Sequence, residues 1–220
     1  FLEKFPEYKG RKFYITGESY AGHYIPAITA YFVKKNNPDI NLVASAIGNG
    51  WVDPIVQYPE YNTFSYENGL IGDFSHILLK GGYWVCQQLI KTGLWFIALE
   101  ECQLCDIPIL GFPLKPRFNV YDIRIPCSNP PLCYDFGNLD KLIALDSVRT
   151  ALGVGKRSWE SCNQVVHTFM LGDWVTDFSP QVDFALKNGV GILVYSGDKD
   201  FICNWRGGEA WTNAIRWEKQ

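Results

Sequence analysis

The feature that most constrains the fold is a β-prone run followed at once by a helical pattern, in residues 12–35. The run KFYI at residues 12–15 stops at Gly17, and from residue 20 to residue 35 apolar residues recur at helical spacing. A second apolar run at residues 40–47 predicts another strand, buried in the sheet. Strand, sharp turn, helix and strand form a βαβ unit, which predicts an α/β protein with a parallel sheet.

Later residues repeat this pattern after an interruption. Helices are predicted near residues 146–152 and 179–187, and GILVY at residues 191–195 predicts a parallel strand that is buried on both faces. Between residues 54 and 118, short helical segments with several Gly, Pro and Cys residues predict an insertion that caps the carboxyl ends of the strands. The predicted parts are therefore a first core part at 1–53, a cap insertion at 54–118 and a second core part at 119–220.

Composition narrows the possible partners. The 220 residues are 47% hydrophobic, which suits one large domain, and the net charge of −3 with scattered Lys and Arg argues against nucleic acid or an anionic membrane surface. The most apolar run, residues 92–99, is far shorter than the roughly 20 residues needed to span a bilayer. Because the chain starts at Phe1 without Met or a signal segment, we expect the native start and any targeting signal to lie upstream.

Seven cysteines allow two interpretations. Cys102 and Cys105 have the spacing of one zinc knuckle, but Cys127 and Cys133 are too far apart to form the second. Disulfides in an oxidising compartment are therefore favoured over zinc. The odd total leaves at least one free thiol, or a partner cysteine outside these residues.

The turn at residues 17–21 (GESYA) has the context of a nucleophile elbow, in which a serine lies between a strand and a helix. Gly17 and Ala21 are small, as the tight turn requires. Such a turn projects Ser19 Oγ above the sheet and directs the Tyr20 backbone N–H at a developing oxyanion. The alternative is an ordinary Gly-rich turn in which Ser19 caps the helix.

Four motifs extend this interpretation to the whole chain. They are GESYAGHYIP at 17–26, IGNGWVDP at 47–54, NVYDIR at 119–124 and VYSGDKDFICNW at 194–205. In order and spacing they resemble the serine carboxypeptidase family (peptidase family S10), with most similarity to its carboxypeptidase Y members. The resemblance implies an α/β-hydrolase fold, with a mostly parallel sheet and a helical cap insertion, truncated at both ends.

The resemblance implies catalytic roles for three residues. Ser19 is the expected nucleophile, Tyr20 supplies an oxyanion N–H, and Asp200, rather than Asp198, is the acid that orients a histidine. The 20 residues after Asp200 contain no histidine. The family's Gly-rich oxyanion loop would precede Phe1. We therefore expect this chain by itself to be inactive or nearly so.

The resemblance also implies a substrate site. Glu18 would recognise the free carboxylate of a peptide, and a raised pKa of this carboxyl group would favour acidic conditions. Tyr121 and Tyr134 would form pocket walls, although tyrosines more often belong to a core. Cys203 would be a free thiol that lines the pocket.

For the other cysteines, the resemblance implies a local disulfide between Cys127 and Cys133 and an unpaired Cys162. One pair and one unpaired cysteine are expected among the remaining three, Cys86, Cys102 and Cys105.

The function implied is a serine-type carboxypeptidase that releases C-terminal residues from peptides or proteins through an acyl-enzyme. No metal or organic cofactor is implied, and the setting would be lysosomal, vacuolar or secreted. Two alternatives stay open: an acyltransferase on the same fold, and a non-catalytic homologue that retains the pocket. A sheet that lacks strands at both ends would expose unpaired edges and apolar surface, so we also expect poor solubility.

Overall fold

The computed structural model describes residues 1–111, 115–130 and 133–217. Residues 112–114, 131–132 and 218–220, which belong to the predicted cap and second core part, lie outside the described residues. The strands are β1 Lys12–Glu18, β2 Asn41–Gly48, β3 Phe118–Asn119, β4 Asp122–Pro126 and β5 Gly191–Tyr195. The helices are α1 Ala21–Lys35, α2 Pro54–Glu67, α3 Asp73–Lys91, α4 Trp95–Leu110, α5 Gly137–Ala144, α6 Asp146–Ala151, α7 Gln164–Met170, α8 Ser179–Lys187 and α9 Trp205–Ala214.

A parallel sheet in the order β1-β2-β5 organises the molecule, so the predicted α/β class is confirmed. In this register Glu18 lies beside Gly48, and Gly48 lies beside Tyr195. The three strands therefore end at the same level. The segments that follow them, residues 19–20, 49–53 and 196–203, meet at one edge of the sheet, which is where parallel sheets place their ligand sites.

Two buried clusters flank this edge. The smaller one lies between the sheet and its helices, and contains Ile25, Ile47, Val52, Val182, Trp211 and Ile215. The larger one is built mainly from α2, α3 and α4, which we call the helical segment (residues 54–111), and reaches Phe201 in the loop after β5. Whether the helical segment acts as a cap stays a prediction.

The prediction that β5 is buried on both faces was wrong. Ile192 and Val194 pack into the smaller cluster with α8 and α9, but Leu193 is 60% exposed and Tyr195 is 53% exposed. Successive side chains of a strand point to opposite faces, and these helices cover only one of them. Among the described strands, β1 and β5 are the two edges of the parallel sheet.

The helices of residues 54–111 are also longer than predicted, at 14, 19 and 16 residues. Gly81 and Gly82 lie inside α3, which continues through both. A Cβ on Gly82 would lie 2.7 Å from Cys105 Sγ, so this glycine permits α3 and α4 to approach closely. None of the helices in the described residues is long and apolar enough to cross a membrane.

Gly22 and Gly81 provide a matched test of the contact between α1 and the segment after β2. A Cβ on Gly22 would lie 2.4 Å from the backbone oxygen of Trp51, whereas a Cβ on Gly81 would meet nothing within 4 Å. We expect Gly22→Ala to lower the free energy of unfolding by about 1–3 kcal/mol because the backbone must shift. Gly81→Ala should raise it by up to about 1 kcal/mol through helix propensity. Urea unfolding followed by circular dichroism measures both, and an unchanged midpoint for Gly22→Ala would contradict the contact.

Candidate active site

The turn between β1 and α1 has the steric form that the elbow motif predicts. Ser19 has a φ of 61°, a left-handed conformation that is uncommon for a residue other than glycine. A Cβ on Gly17 would lie 2.5 Å from the Ala21 Cβ and 3.1 Å from Ile25 Cγ1. Glycine at 17 and a small residue at 21 are therefore required for the strand to pass so close to the helix.

Backbone hydrogen bonds hold Ser19 in this conformation. Its N–H donates to the Gly48 carbonyl at 3.0 Å, and its carbonyl accepts from the N–H groups of Trp51 at 3.0 Å and Gly22 at 2.9 Å. The turn is thus bound to the end of β2 and to the residues that follow it. Such a constraint is what keeps a strained backbone conformation in place.

The loop after β5 brings Asp200 to the same edge of the sheet. Its side chain is 7% exposed, and its carboxylate accepts from Asn49 Nδ2 at 2.7 Å and from the N–H groups of Ile202 at 3.1 Å and Cys203 at 3.3 Å. Burial raises the pKa of Asp200 to about 6; the negative charge of Glu18 adds to this, and the three hydrogen bonds oppose it.

The neighbouring Asp198 has a different environment. Its side chain is 80% exposed, and its carboxylate lies 3.9 Å from Lys199 Nζ. Only Asp200 of the two is enclosed by the strand ends, which is the position that the sequence motif assigns to the acid.

Asn49 is a site residue that the sequence analysis missed. It has a φ of 40°, its N–H donates to the Tyr195 carbonyl at 2.8 Å, and its side-chain oxygen accepts from the Gly197 N–H at 3.2 Å. Together with its bond to Asp200, these contacts connect the ends of β2 and β5. The signal was Asn between two glycines directly after a strand, since asparagine tolerates left-handed backbone better than most residues.

Glu18 and Cys203 interact with Asp200, and Ser19 interacts with Cys203. The Cys203 thiol is buried, which raises its pKa; the negative charges of Asp200 and Glu18 add to this, and a hydrogen bond with Ser19 opposes it. Glu18 ends β1 and is exposed over much of its surface, yet partial burial raises its pKa as well. Nucleophile candidate, acid candidate, glutamate and thiol therefore share one small region.

Tyr121 and Tyr134 border this region. Their rings stack with centroids 5.6 Å apart and an interplanar angle of 21°. Burial raises the pKa of Tyr121, and the charges of Asp200 and Glu18 contribute, which places its phenol near the carboxylates. Both rings keep exposed surface, so neither is a fully enclosed core residue.

Tyr20 follows Ser19 and directly precedes α1. Within the described residues its backbone N–H donates to no acceptor, so this N–H is available to an oxyanion. Its phenol donates to Asp173 Oδ2 at 2.7 Å, and its ring stacks on Trp174 with centroids 5.2 Å apart.

The three histidines have other partners. His23 Nδ1 lies 3.0 Å from Asp173 Oδ2, and His76 Nδ1 lies 3.1 Å from Asn62 Oδ1. His167 contacts Trp174 edge to face, with centroids 5.8 Å apart. Within the described residues, none of these side chains hydrogen-bonds to Ser19 or Asp200.

The cysteines form two disulfides. Cys127 pairs with Cys133, as the resemblance implied, and the pair left open is Cys86 with Cys102, which joins α3 to α4. The free cysteines are Cys105, Cys162 and Cys203. Because Cys102 is bonded to Cys86, it is not available for a zinc knuckle. In the parts of the chain described, no group of three or more His, Cys, Asp or Glu could hold a metal.

Asn49→Leu tests the hydrogen bond to the buried carboxylate. Without this donor, we expect the pKa of Asp200 to rise above about 6, as measured by ¹³C NMR titration of the carboxyl carbon. A raised folded-state pKa means that the contribution of Asp200 to stability is complete below its unfolded value of 3.8 and is lost as pH rises through the folded value. The variant should therefore lose more stability than wild type between pH 4 and pH 7.

Asn41→Leu is the control for this experiment. Asn41 lies at the opposite end of β2 and donates to the Gly10 carbonyl at 3.3 Å. It should leave the Asp200 titration unchanged. An equal or lower pKa of Asp200 in Asn49→Leu would show that the bond does not stabilise the carboxylate.

Comparison with known proteins gives consistent matches over the whole chain. The family model described as "Serine carboxypeptidase" matches residues 1–220. "Serine carboxypeptidase-like 49" of Arabidopsis thaliana is 40% identical over 225 residues, covering 99% of this chain and 43% of that protein. "Carboxypeptidase Y homolog A" of Trichophyton verrucosum is 36% identical over 230 residues, covering 99% and 42% respectively.

A solved structure shares the fold. The crystal structure of Kex1(delta)p, a prohormone-processing carboxypeptidase from Saccharomyces cerevisiae, superposes with a TM-score of 0.81 at 26% identity, covering 100% of this chain and 51% of that one. The chain thus spans about half the length of the relatives it matches.

Proposed function

Because the chain belongs to the serine carboxypeptidase family, as its motifs predicted, we propose that it carries the nucleophile, the acid and the carboxylate-recognition group of a serine-type carboxypeptidase. The observation that carries this proposal is Ser19, held at a φ of 61° after β1, with the buried Asp200 in the loop after β5 at the same edge of the sheet. An ordinary helix cap needs neither a strained backbone nor a buried carboxylate at the same edge of the sheet. A nucleophile elbow has the strained backbone, and the triad to which it belongs requires an acid that orients the histidine.

The proposed reaction is acyl transfer to water. Ser19 Oγ attacks the last peptide carbonyl, its proton passes to an imidazole, and the Tyr20 N–H donates to the oxyanion. The imidazole then protonates the leaving amine, the C–N bond breaks, and water hydrolyses the acyl-enzyme. Asp200 orients the imidazole. No histidine follows Asp200 in this sequence, so we propose that the 220 residues alone are nearly inert.

Substrate recognition is proposed for the side of the turn that carries Glu18. A protonated Glu18 can donate to the terminal carboxylate of a peptide, whereas an ionised one would repel it. Its raised pKa supports this role under acidic conditions. The stacked Tyr121 and Tyr134 then form the wall for the leaving residue, and the Cys203 thiol contributes to the same pocket.

The two disulfides are consistent with an oxidising compartment. Together with the preference for acid, they support the proposal of a vacuolar, lysosomal or secreted setting.

Labelling with a fluorophosphonate probe tests the nucleophile. The 220-residue chain should remain unlabelled, and labelling should appear in a chimera that flanks these residues with the terminal segments of the Arabidopsis relative. Ser19→Ala in the chimera should abolish it. If the 220-residue chain is labelled and Ser19→Ala removes the labelling, the proposed inertness is contradicted. If a chimera that unfolds cooperatively, and is therefore folded, is not labelled, the result favours a non-catalytic homologue. Comparing peptide and ester donors on a labelled chimera separates peptidase from acyltransferase.

Glu18→Gln tests carboxylate recognition in the active chimera. In wild type, kcat/KM for a peptide should fall as pH rises through the raised pKa of Glu18, because the proton that donates to the substrate is lost. Glutamine carries an N–H donor at every pH, so this part of the pH profile should flatten. A peptide amide, which lacks the terminal carboxylate, is the control substrate. An unchanged profile would remove Glu18 from the recognition role.

A further inference from the structure

Asp173 lies in the segment between α7 and α8 and binds the start of α1 through one oxygen atom. Asp173 Oδ2 accepts from the Tyr20 hydroxyl at 2.7 Å and lies 3.0 Å from His23 Nδ1. Tyr20 and His23 are three residues apart, so they occupy one face of the first helical turn. A single carboxylate oxygen therefore contacts both residues on that face.

The surroundings of the His23 ring favour its neutral form with the proton on Nδ1. His23 is 1% exposed, and its ring lies between those of Tyr20 and Phe178, with centroids 4.6 and 4.5 Å away. Burial lowers its pKa, against the opposing charges of Asp173 and Asp177. Its Nε2 is buried without a hydrogen-bond partner among the described residues, so a proton there would be a buried donor without an acceptor. The favourable form carries its proton on Nδ1, directed at Asp173.

The segment that carries Asp173 is itself held against the elbow. Trp51 Nε1 donates to the Trp174 carbonyl at 2.8 Å, and the Phe178 N–H donates to the Val52 carbonyl at 2.9 Å. The Trp51 N–H in turn donates to the Ser19 carbonyl. Residues 51–52 therefore hold both the nucleophile turn and the segment around Asp173, which gives the carboxylate a defined place from which to bind Tyr20.

Tyr20 needs such a tether because of its place in the helix. It precedes α1 with no side-chain cap, and the first N–H groups of a helix have no intrahelical partner. Its own N–H is the proposed oxyanion donor. An unanchored first turn frays, and a donor displaced from the oxyanion loses much of its effect on the transition state.

We propose that Asp173 is a positioning residue of the oxyanion site, which fixes Tyr20 through its hydroxyl and His23 through Nδ1. This inference rests on the proposed function. Asp173 touches no reacting atom in this role. It holds the ring of Tyr20 and, through the ring and the first turn of α1, the direction of the Tyr20 N–H.

Kinetics of the active chimera test the proposal. Asp173→Ala should lower kcat per active site by about 10-fold with little change in KM, because the tether orients a transition-state donor. Active sites are counted by fluorophosphonate titration, so loss of folded protein does not count as loss of rate. Asp173→Asn should restore most of kcat, since its amide oxygen can accept from Tyr20. Tyr20→Phe should lower kcat to a similar extent, and adding it to Asp173→Ala should cost little more.

Asp177→Asn is the matched control. It removes a nearby charge that also acts on His23, keeps an acceptor for the Ser179 N–H, and breaks no bond to Tyr20. Its kcat should equal that of wild type. If Asp173→Ala lowers only the melting temperature and leaves kcat per titrated site unchanged, Asp173 is purely structural and the proposal fails.

NMR of the 220-residue chain tests the contacts of Asp173 with Tyr20 and His23 independently of activity. Wild-type His23 should show ring ¹⁵N shifts of a neutral Nδ1–H tautomer, and Asp173→Ala should lower its pKa further, since Asp173 raises it. The His23 backbone amide, which donates to the Tyr20 carbonyl at 3.0 Å, should exchange with solvent faster in this variant and in Tyr20→Phe. Unchanged titration of the His23 ring and unchanged exchange of its amide would overturn the tether. An inactive wild-type chimera with the expected NMR changes would instead count against the proposed function alone.

Discussion

The backbone of Ser19 is the constraint on which the rest of the structure depends. A left-handed residue at this point costs on the order of 1–3 kcal/mol, and the bonds to Gly48, Trp51 and Gly22 offset that cost. The turn also determines where α1 begins. It brings the backbone so close to Ala21 and to Trp51 that glycine is needed at 17 and 22. The nucleophile turn is thus a product of the pairing between β1 and β2 as much as of its own five residues.

The electrostatics of the site follow from gathering anionic groups at the strand ends. Burial raises the pKa values of Asp200, Cys203 and Tyr121, and in each case the charge of Glu18 raises the value further. An imidazolium beside Asp200 would act in the opposite direction and stabilise its ionised form. The arrangement therefore suits a cationic partner, as the proposed mechanism requires, and in its absence the pKa values of the carboxyl groups are raised.

The local sequence pattern was sufficient to predict those elements whose structure is decided by neighbouring residues. The predicted first helix and the observed α1 differ by one residue at the start, and β5 has the predicted bounds, because periodicity and flanking glycines specify such elements. Local pattern failed where a distant segment decides. The exposure of Leu193 depends on which helices cover β5, and the need for glycine at 82 depends on Cys105, 23 positions later, which fills the space beside it.

For the site, the sequence by itself determined the elbow, the identity of the residues at the ends of β1 and β5, and membership of the family. Those depend on short motifs whose residue types are demanded by turn geometry and by chemistry. Only the tertiary structure decided that Asn49 donates to Asp200 and that Asp173 binds Tyr20, across 151 and 153 positions of chain. Contacts between such distant residues depend on the register of the sheet and on the packing of whole segments, neither of which any local window of sequence contains.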